Sequence, residues 1–415
     1  MKEIIFIFDL DGTITTQETL PIISNHFDVG DTISDLTRQT IDGNVPFVES
    51  FIKRVKILGG LPVSEINELL FNVPLSKGIL DFIQSHKESC IVATGNFKGW
   101  VEKLCEDIGC QYFASEGVVK NNKIAKLTYI LKKEDIVRRF QDLGKSVVFV
   151  GDGNNDATAM QAADISIACG IVHEPAKSVL TVADYSIYDA GALVRLLGQI
   201  YAKKDGKSVI ISCAGIGSRL GLELTKALIQ IEGQPLIHYQ IDAFENVEDV
   251  RVVVGYQAKE VIAATLQKRK DIIFVYNHDY FHTKTGASFY LGARHGNKYA
   301  IAWDGDLLVH PSDVKRCLEY DGEYVGCSDV VSDEPVFVKL NSDGNVVYFS
   351  RDNGDYEWVG PACLEREKVK FVSNNVFNQF ESYLPLPMIK TNARDVDTYD
   401  DYLRAIEFVK GWDVE

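Results

Sequence analysis

The 415-residue chain has no apolar run long enough to span a bilayer, so a membrane protein of helical type is not expected. It has no C-x-x-C pair. Its eight cysteines are scattered, several inside apolar runs, which argues against zinc ligation or a disulfide framework and for buried, reduced thiols. Basic residues are few: 43 Lys and Arg stand against 59 Asp and Glu, a formal net charge of −16. That balance argues against a nucleic-acid or anionic-membrane partner. Anionic substrates would have to arrive with Mg2+ or meet local Lys and Arg. No internal repeat or low-complexity segment occurs. The first residues enter an apolar strand without a charged-then-apolar leader, so a cytoplasmic protein is expected. What is present is an ordinary globular composition, 46% hydrophobic and 25% charged, at a length that favours two domains.

The first half is organised around Phe6-Ile7-Phe8-Asp9-Leu10-Asp11-Gly12-Thr13. Ile4 to Phe8 reads as a buried parallel strand. It ends in two carboxylates two residues apart, which in extended chain point the same way. Strand ends are where α/β folds bind ligands, and paired carboxylates call for a cation. An acidic turn is the alternative for this pair taken alone. Residues 18–76 carry helical periodicity, expected to form a cap that excludes water. Ser89 to Ala93 reads as a second strand, ending at Thr94-Gly95-Asn96 before a helix from about Lys98 to Ile108. A hydroxyl and backbone N–H groups there suit a phosphate. Lys133 opens a helix, and Val147 to Val150 reads as a buried strand ending in Gly151-Asp152-Gly153-Asn154-Asn155-Asp156. Two acidic strand ends, a hydroxyl and a lysine form a candidate Mg2+-phosphate site.

These motifs, in this order, resemble those of the haloacid dehalogenase superfamily over about residues 1–200. The resemblance implies a Rossmann-like domain with a helical cap over about 15–78. It implies Asp9 as nucleophile and Asp11 as acid and base. Mg2+ would be held by Asp9, Asp152 and the Asp11 carbonyl, with Asp156 in support. Thr94 and Lys133 would hold the phosphoryl oxygens, with Gly95 and Asn155 among the substrate contacts. The cap resembles that of phosphoserine phosphatases: Glu18 and Arg54 fall where that family holds the substrate's amino and carboxylate groups. Exposed charge on a cap helix is the alternative for both. Gly12 stands where that family carries Ser, and Thr94-Gly95-Asn96 replaces Ser-Gly-Gly, so a leaving group other than serine stays open.

The polar segment 202–207 reads as a linker between domains at 1–202 and 207–415. Beyond it, an apolar strand runs into Cys213-Ala214-Gly215-Ile216-Gly217-Ser218-Arg219, with Lys226 following. Such glycines let backbone N–H groups approach phosphates. With Gly233-Gln234-Pro235-Leu236-Ile237, the pattern resembles the signature of nucleotidyltransferases. The segment from Asn277 to Ser288 resembles the base- and acceptor-contacting segment of choline-phosphate-type cytidylyltransferases. The resemblance implies a Rossmann-like domain with a mixed sheet and a triphosphate gripped by Ala214, Gly215, Gly217, Ser218, Arg219 and Lys226. It further implies acceptor or base contacts at Thr285 and Ser288, and a second Mg2+ on Asp306 and Asp397. Asp304, Asp395, Asp400 and Asp401 read instead as solvated or helix-capping carboxylates.

The expected protein is a bifunctional α/β enzyme. One domain hydrolyses small phosphomonoesters; the other transfers a nucleotidyl group, with CTP the favoured donor. A homodimer is compatible with this reading. Two alternatives stand beside it. One is a sugar-1-phosphate nucleotidyltransferase joined to a sugar-bisphosphate phosphatase. The other is an active phosphatase with a non-catalytic nucleotide-binding domain.

Overall fold

The computed structural model describes residues 2–30, 33, 36, 38–39, 45, 47–217, 224–332 and 334–414. Two compact units form, residues 1–194 and 195–415, and the division falls inside the helix Ala190–Tyr201.

The first unit is built on strands β1 (Ile4–Phe8), β2 (Cys90–Phe97), β3 (Gln111–Lys120), β4 (Lys123–Tyr129), β5 (Ser146–Gly151), β6 (Ile165–Cys169) and β7 (Tyr185–Ile187). Their order is β7-β6-β5-β1-β2-β3-β4, and only the β3–β4 pairing is antiparallel. Helices cover both faces, so central strands need apolar residues at consecutive positions: Ile5, Phe6, Ile7 and Phe8 are all buried. Helix Lys98–Ile108 buries Trp100, Val101, Leu104, Cys105 and Ile108, a helical stripe. It stops at Gly109, whose φ of 83° suits a glycine and whose N–H bonds Cys105 O. The cap contributes helices Thr19–His26, Phe47–Leu58 and Val63–Phe71 before Lys77–Ser85 returns the chain to the sheet.

Two features depart from the sequence reading. Strand β2 does not end at Thr94; it continues through Gly95 and Asn96 to Phe97. The β3–β4 hairpin occupies a stretch to which no element was assigned. Its mostly exposed residues mix polar and apolar types on both faces, which hides the alternation, and the turn is made by Asn121 and Asn122 at φ 51° and 61°.

The second unit contains β8 (Lys207–Ser212), β9 (Gln230–Ile231), β10 (Gln234–Pro235), β11 (Asp249–Val254), β12 (Ile273–Tyr276), β13 (Tyr299–Asp304) and β14 (Leu307–Val309). It continues with β15 (Tyr324–Ser328), β16 (Phe337–Leu340), β17 (Asn345–Ser350), β18 (Tyr356–Glu365), β19 (Leu386–Lys390) and β20 (Ala393–Asp395). The main sheet runs β15-β19-β17-β16-β18-β13-β8-β11-β12. Strands β13, β8, β11 and β12 are parallel, and β18 pairs antiparallel to β13, so the sheet is mixed. Helix Thr285–Ala293 lies against β8 because Gly292 has no side chain: a Cβ there would sit 2.3 Å from Ile210 Cγ2. Two short ribbons, β9–β10 and β14–β20, lie outside the main sheet. Among the described residues, no helix is long and apolar enough to cross a membrane.

Candidate active sites

In the first unit, parallel pairing of β1 with β5 carries on one step past the strand, where Asp9 N–H donates to Val150 O at 2.8 Å. This register sets Asp9 beside the end of β5 and its Asp152. Asp9, Asp152 and Asp156 each bring one carboxylate oxygen within 4.8 Å of the others, and all three are buried. Lys133, itself buried, places Nζ 2.6 Å from Asp9 Oδ1 and 2.5 Å from Asp156 Oδ1. Asp156 Oδ2 also accepts from the N–H groups of Asp152 and Gly153 at 3.1 and 2.9 Å, which fixes the turn after β5. Thr13 Oγ1 donates to Asp152 Oδ1 at 3.2 Å.

The electrostatics follow from burial. Asp9 is pushed well above the usual carboxylate range by burial, then by Asp156, with Lys133 opposing. Asp152 is raised to about 6, again by burial first, with its hydrogen bond to His173 opposing. Burial would lower the Lys133 ammonium, but the Asp156 and Asp9 carboxylates outweigh it and hold it charged. Three buried carboxylates against one lysine leave excess negative charge, and an all-oxygen donor set suits Mg2+.

Asp11 turns toward the cap. Its Oδ1 accepts from Thr19 N–H at 2.9 Å and its Oδ2 from Asn96 Nδ2 at 2.6 Å. Burial, then the Glu18 carboxylate, raises it to about 6. Arg54 is buried and feels both Asp11 and Glu18. Thr94 is buried, with its Oγ1 accepting from Asn96 N–H at 3.1 Å. Gly95 uses its carbonyl to accept from Ser115 Oγ at 2.9 Å, and Asn155 lies on the 3-10 turn Asn154–Asp156.

Two residues here were not singled out in the sequence. Asn96 was noted only as a departure from a family pattern, which was signal enough to test it as a partner of Asp11. His173 lies in the loop after β6, with no motif around it; its Nε2 sits 2.9 Å from Glu18 Oε1 and 3.0 Å from Asp152 Oδ2.

In the second unit, the β14–β20 ribbon does the assembling. Leu307 pairs with Asp395 and Leu308 with Arg394, so Asp306 and Asp397 meet at one end. Lys226 Nζ donates to Asp306 Oδ2 at 2.6 Å and also to Asp397 Oδ1. The buried Gln240 steadies the turn by donating to Asp304 O and Leu307 O at 2.9 and 2.8 Å. A cavity of about 860 Å³ opens beside this centre, lined by Ala214, Gly215, Gly217, Lys226, Thr285 and Ser288 together with Asp304, Asp306, Asp395 and Asp397. Gly217 has φ +66°, and a Cβ there would lie 2.9 Å from Leu224 O. Ser218 and Arg219 lie outside the described residues.

Two details revise the sequence reading here and a third agrees with it. Asp304 and Asp395 are half-buried rather than on the open surface: they line the cavity with Asp306 and Asp397. Burial and the neighbouring acids raise Asp304 to about 7 and Asp395 well above its usual range. Thr285 Oγ1 already accepts from Val376 N–H at 3.0 Å, and Ser288 Oγ accepts from the buried Asn277 at 3.1 Å, so both hydroxyls also brace the wall. Asp401 does cap a helix, in a reciprocal box with Thr398.

A carboxylate at a strand end gripped by a buried lysine, beside further carboxylates, has the chemistry for phosphoryl transfer. A glycine turn and a lysine above a large polar cavity have the chemistry to hold phosphates. Comparison with known proteins gives the family of each domain. Residues 5–164 match the haloacid dehalogenase-like hydrolase family, and residues 209–351 match the MobA-like NTP transferase domain. The chain therefore joins a haloacid dehalogenase-like hydrolase domain to an NTP transferase domain, both of them from enzyme families. A phosphoserine phosphatase of Archaeoglobus fulgidus is 30% identical over 197 residues, 44% of this chain and 56% of that protein's length. One from Wolinella succinogenes is 29% identical over 43% of this chain and 94% of its own length. The solved structure of a CTP:phosphocholine cytidylyltransferase from Streptococcus pneumoniae overlaps 49% of this chain and 99% of its own, with 21% identity and a TM-score of 0.40.

Proposed function

We propose that the chain is a bifunctional enzyme. Residues 1–202 hydrolyse phosphomonoesters with Mg2+. Residues 207–415 transfer a nucleotidyl group, cytidylyl favoured, from a nucleoside triphosphate to a small phosphorylated alcohol, amino alcohol or phosphonate. One repeated arrangement carries this reading: in each unit a lysine ammonium lies between two carboxylates at the sheet edge, Lys133 with Asp9 and Asp156, Lys226 with Asp306 and Asp397.

In hydrolysis, an Asp9 carboxylate oxygen attacks phosphorus. The bond to the leaving oxygen breaks, and Asp11 supplies that oxygen with a proton. Water then attacks the aspartyl-phosphate, Asp11 takes its proton, and phosphate leaves with Asp9 restored. The raised Asp11, at about 6, is suited to both duties near neutral pH. Lys133 and Thr94 hold phosphoryl oxygens. Asp9, Asp152 and the Asp11 carbonyl would hold Mg2+, which supplies charge to offset carboxylate–phosphate repulsion.

In transfer, an oxygen of the acceptor phosphate or phosphonate attacks the α-phosphorus and pyrophosphate departs. Lys226 and Arg219 offset the charge that builds on the leaving group. Asp306 and Asp397 would hold the second Mg2+, which supplies positive charge at the α-phosphate.

The test is to measure phosphate release from a panel of phosphomonoesters and pyrophosphate release from each of four nucleoside triphosphates, with and without Mg2+. Both releases are expected, both Mg2+-dependent, with CTP the best donor. Loss of either activity from the list removes that half of the proposal.

A stability prediction accompanies it. Asp11 and Asp152 have folded-state values raised from 3.8 to about 6, so between these values the folded state binds more protons than the unfolded one. The metal-free first unit should therefore lose stability as pH rises through that window. Mg2+ competes with those protons. The Mg2+-induced rise in melting temperature is expected to be larger at about pH 7.5 than at about pH 5. Thermal melts against chelator check this; an equal rise at both values would place Mg2+ elsewhere.

A further inference from the structure

We infer that Glu357 is a positioning residue of the second unit's site. From inside the arch between β15 and β16 its carboxylate fixes the wall against which the acceptor binds, and so sets acceptor affinity without touching the nucleotide. The inference rests on the proposed nucleotidyltransferase reading and deepens it.

The arch is the chain between Ser328 and Phe337, described at residues 329–332 and 334–336. Both of its feet stand beside Glu357. Ser328, the last residue of β15, pairs with Glu357 on one side of β18, and Phe337, the first of β16, pairs with it on the other. The Glu357 side chain reaches into the loop between them. It is 2% exposed and accepts from four donors of the arch and its foot. Its Oε1 accepts from Val331 N–H at 3.1 Å and from Ser328 Oγ at 3.2 Å. Its Oε2 accepts from Ser332 N–H at 3.3 Å and from Ser332 Oγ. Carboxylate oxygens accept on both sides, which is why one side chain can meet all four donors.

Little else holds the first limb of the arch. Val330 and Val331 are 43% and 41% exposed, so apolar burial does little to anchor them. The second limb is tied to the sheet, where Trp358 N–H donates to Val336 O at 2.8 Å. Loss of the carboxylate therefore frees the first limb and leaves the second in place.

The sheet order sets which substrate the arch faces. Val331, Ser332, Pro335 and Val336 line the same cavity as Asp304 and Asp306. The glycine turn follows β8 on one side of β13, and β18 lies on the other side. Gly360 of β18 borders the acids: a Cβ there would lie 3.3 Å from Asp304 Oδ2. Glu357 stands further out along the same strand, at its arch end. In the proposed transfer the attacking oxygen and the departing pyrophosphate lie roughly in line through the α-phosphorus. With the triphosphate on the glycine turn and Lys226, the acceptor comes from the opposite side, where the arch stands.

The test is pyrophosphate release by the full-length chain with Mg2+ and the best donor of the four nucleoside triphosphates. The acceptor probes are phosphocholine, phosphoethanolamine, glycerol 3-phosphate, 2-aminoethylphosphonate and glucose 1-phosphate. For the best probe, Glu357→Ala is expected to raise the acceptor KM by about tenfold or more, while KM for the donor stays within about twofold. Glu357→Gln keeps one accepting oxygen and should fall between the parent and Glu357→Ala. Ser332→Ala removes one donor and should raise the acceptor KM by a smaller factor. These two milder variants carry the test if Glu357→Ala does not fold. Partial misfolding lowers the amount of active enzyme, and hence kcat, but leaves both KM values alone. The split between the two KM values therefore tells positioning from a merely structural role.

The inference is overturned if both KM values rise by one factor, or if the acceptor KM keeps its parental value in Glu357→Gln and Ser332→Ala. Absence of pyrophosphate release from every donor with every probe is a different result: it removes the nucleotidyltransferase reading, and this inference with it.

Discussion

Asp9→Asn is expected to lower phosphate release by about 10³-fold or more while pyrophosphate release stays intact. The substitution keeps shape and removes the attacking oxyanion. An acid-quenched reaction with labelled substrate should leave phosphate on the unaltered protein and none on the variant. Folding can be checked independently, and the sign is informative. Burial and neighbouring acids hold Asp9 well above its usual range, so its charge costs stability in the metal-free protein. A neutral amide removes that cost and can still accept from Lys133, whose other partner, Asp156, remains at 2.5 Å. The metal-free variant should therefore melt at the same temperature as the parent or higher. Hydrolysis surviving at near-parental rate would remove Asp9 from the chemistry. A fall in melting temperature would mean that Asp9 serves mainly to neutralise Lys133.

The two centres differ in how much of them could be read from sequence, and the reason is local. In the first unit Asp9 and Asp152 directly follow buried strands, Thr94 lies within one where its apolar run gives way to polar residues, and Lys133 opens a helix, so the sequence announces these four. His173 has no such herald. It reaches Glu18 across 155 residues of sequence from an irregular loop, a contact that only the assembled sheet creates. The β3–β4 hairpin was missed for a related reason: it is mostly exposed, and an element that buries little leaves little periodicity. In the second unit, Asp304 and Asp395 looked like surface acids because nothing in sequence tells a carboxylate at a strand end from one in a turn. Their meeting with Asp306 and Asp397 depends on the short β14–β20 ribbon, whose three-residue strands fall below what pattern can resolve.

That ribbon also frames the second large effect, expected for Lys226→Met. Lys226 is held between Asp306 and Asp397, with Asp304 and Asp395 lining the same cavity. Burial would lower its ammonium, but Asp306 and Asp397 outweigh that and hold it charged. Two roles are compatible with this position. The lysine either offsets the acids so that the unit folds, or it meets the triphosphate and stabilises departing pyrophosphate. Methionine matches the length and removes the charge, so the roles separate. Four acids without their lysine repel one another, and the variant should melt lower in chelator, with Mg2+ recovering more stability than it does in the parent. If offsetting the acids were the whole role, excess Mg2+ would restore the rate along with the stability. The expected result is otherwise: stability returns, while pyrophosphate release stays down by about 10²-fold or more, because a cation held at Asp306 and Asp397 does not replace a donor aimed at the leaving group. Phosphate release at the Asp9 centre should be unaffected. Recovery of pyrophosphate release at high Mg2+ would assign Lys226 to the fold of the acidic turn and leave the leaving group to other cations.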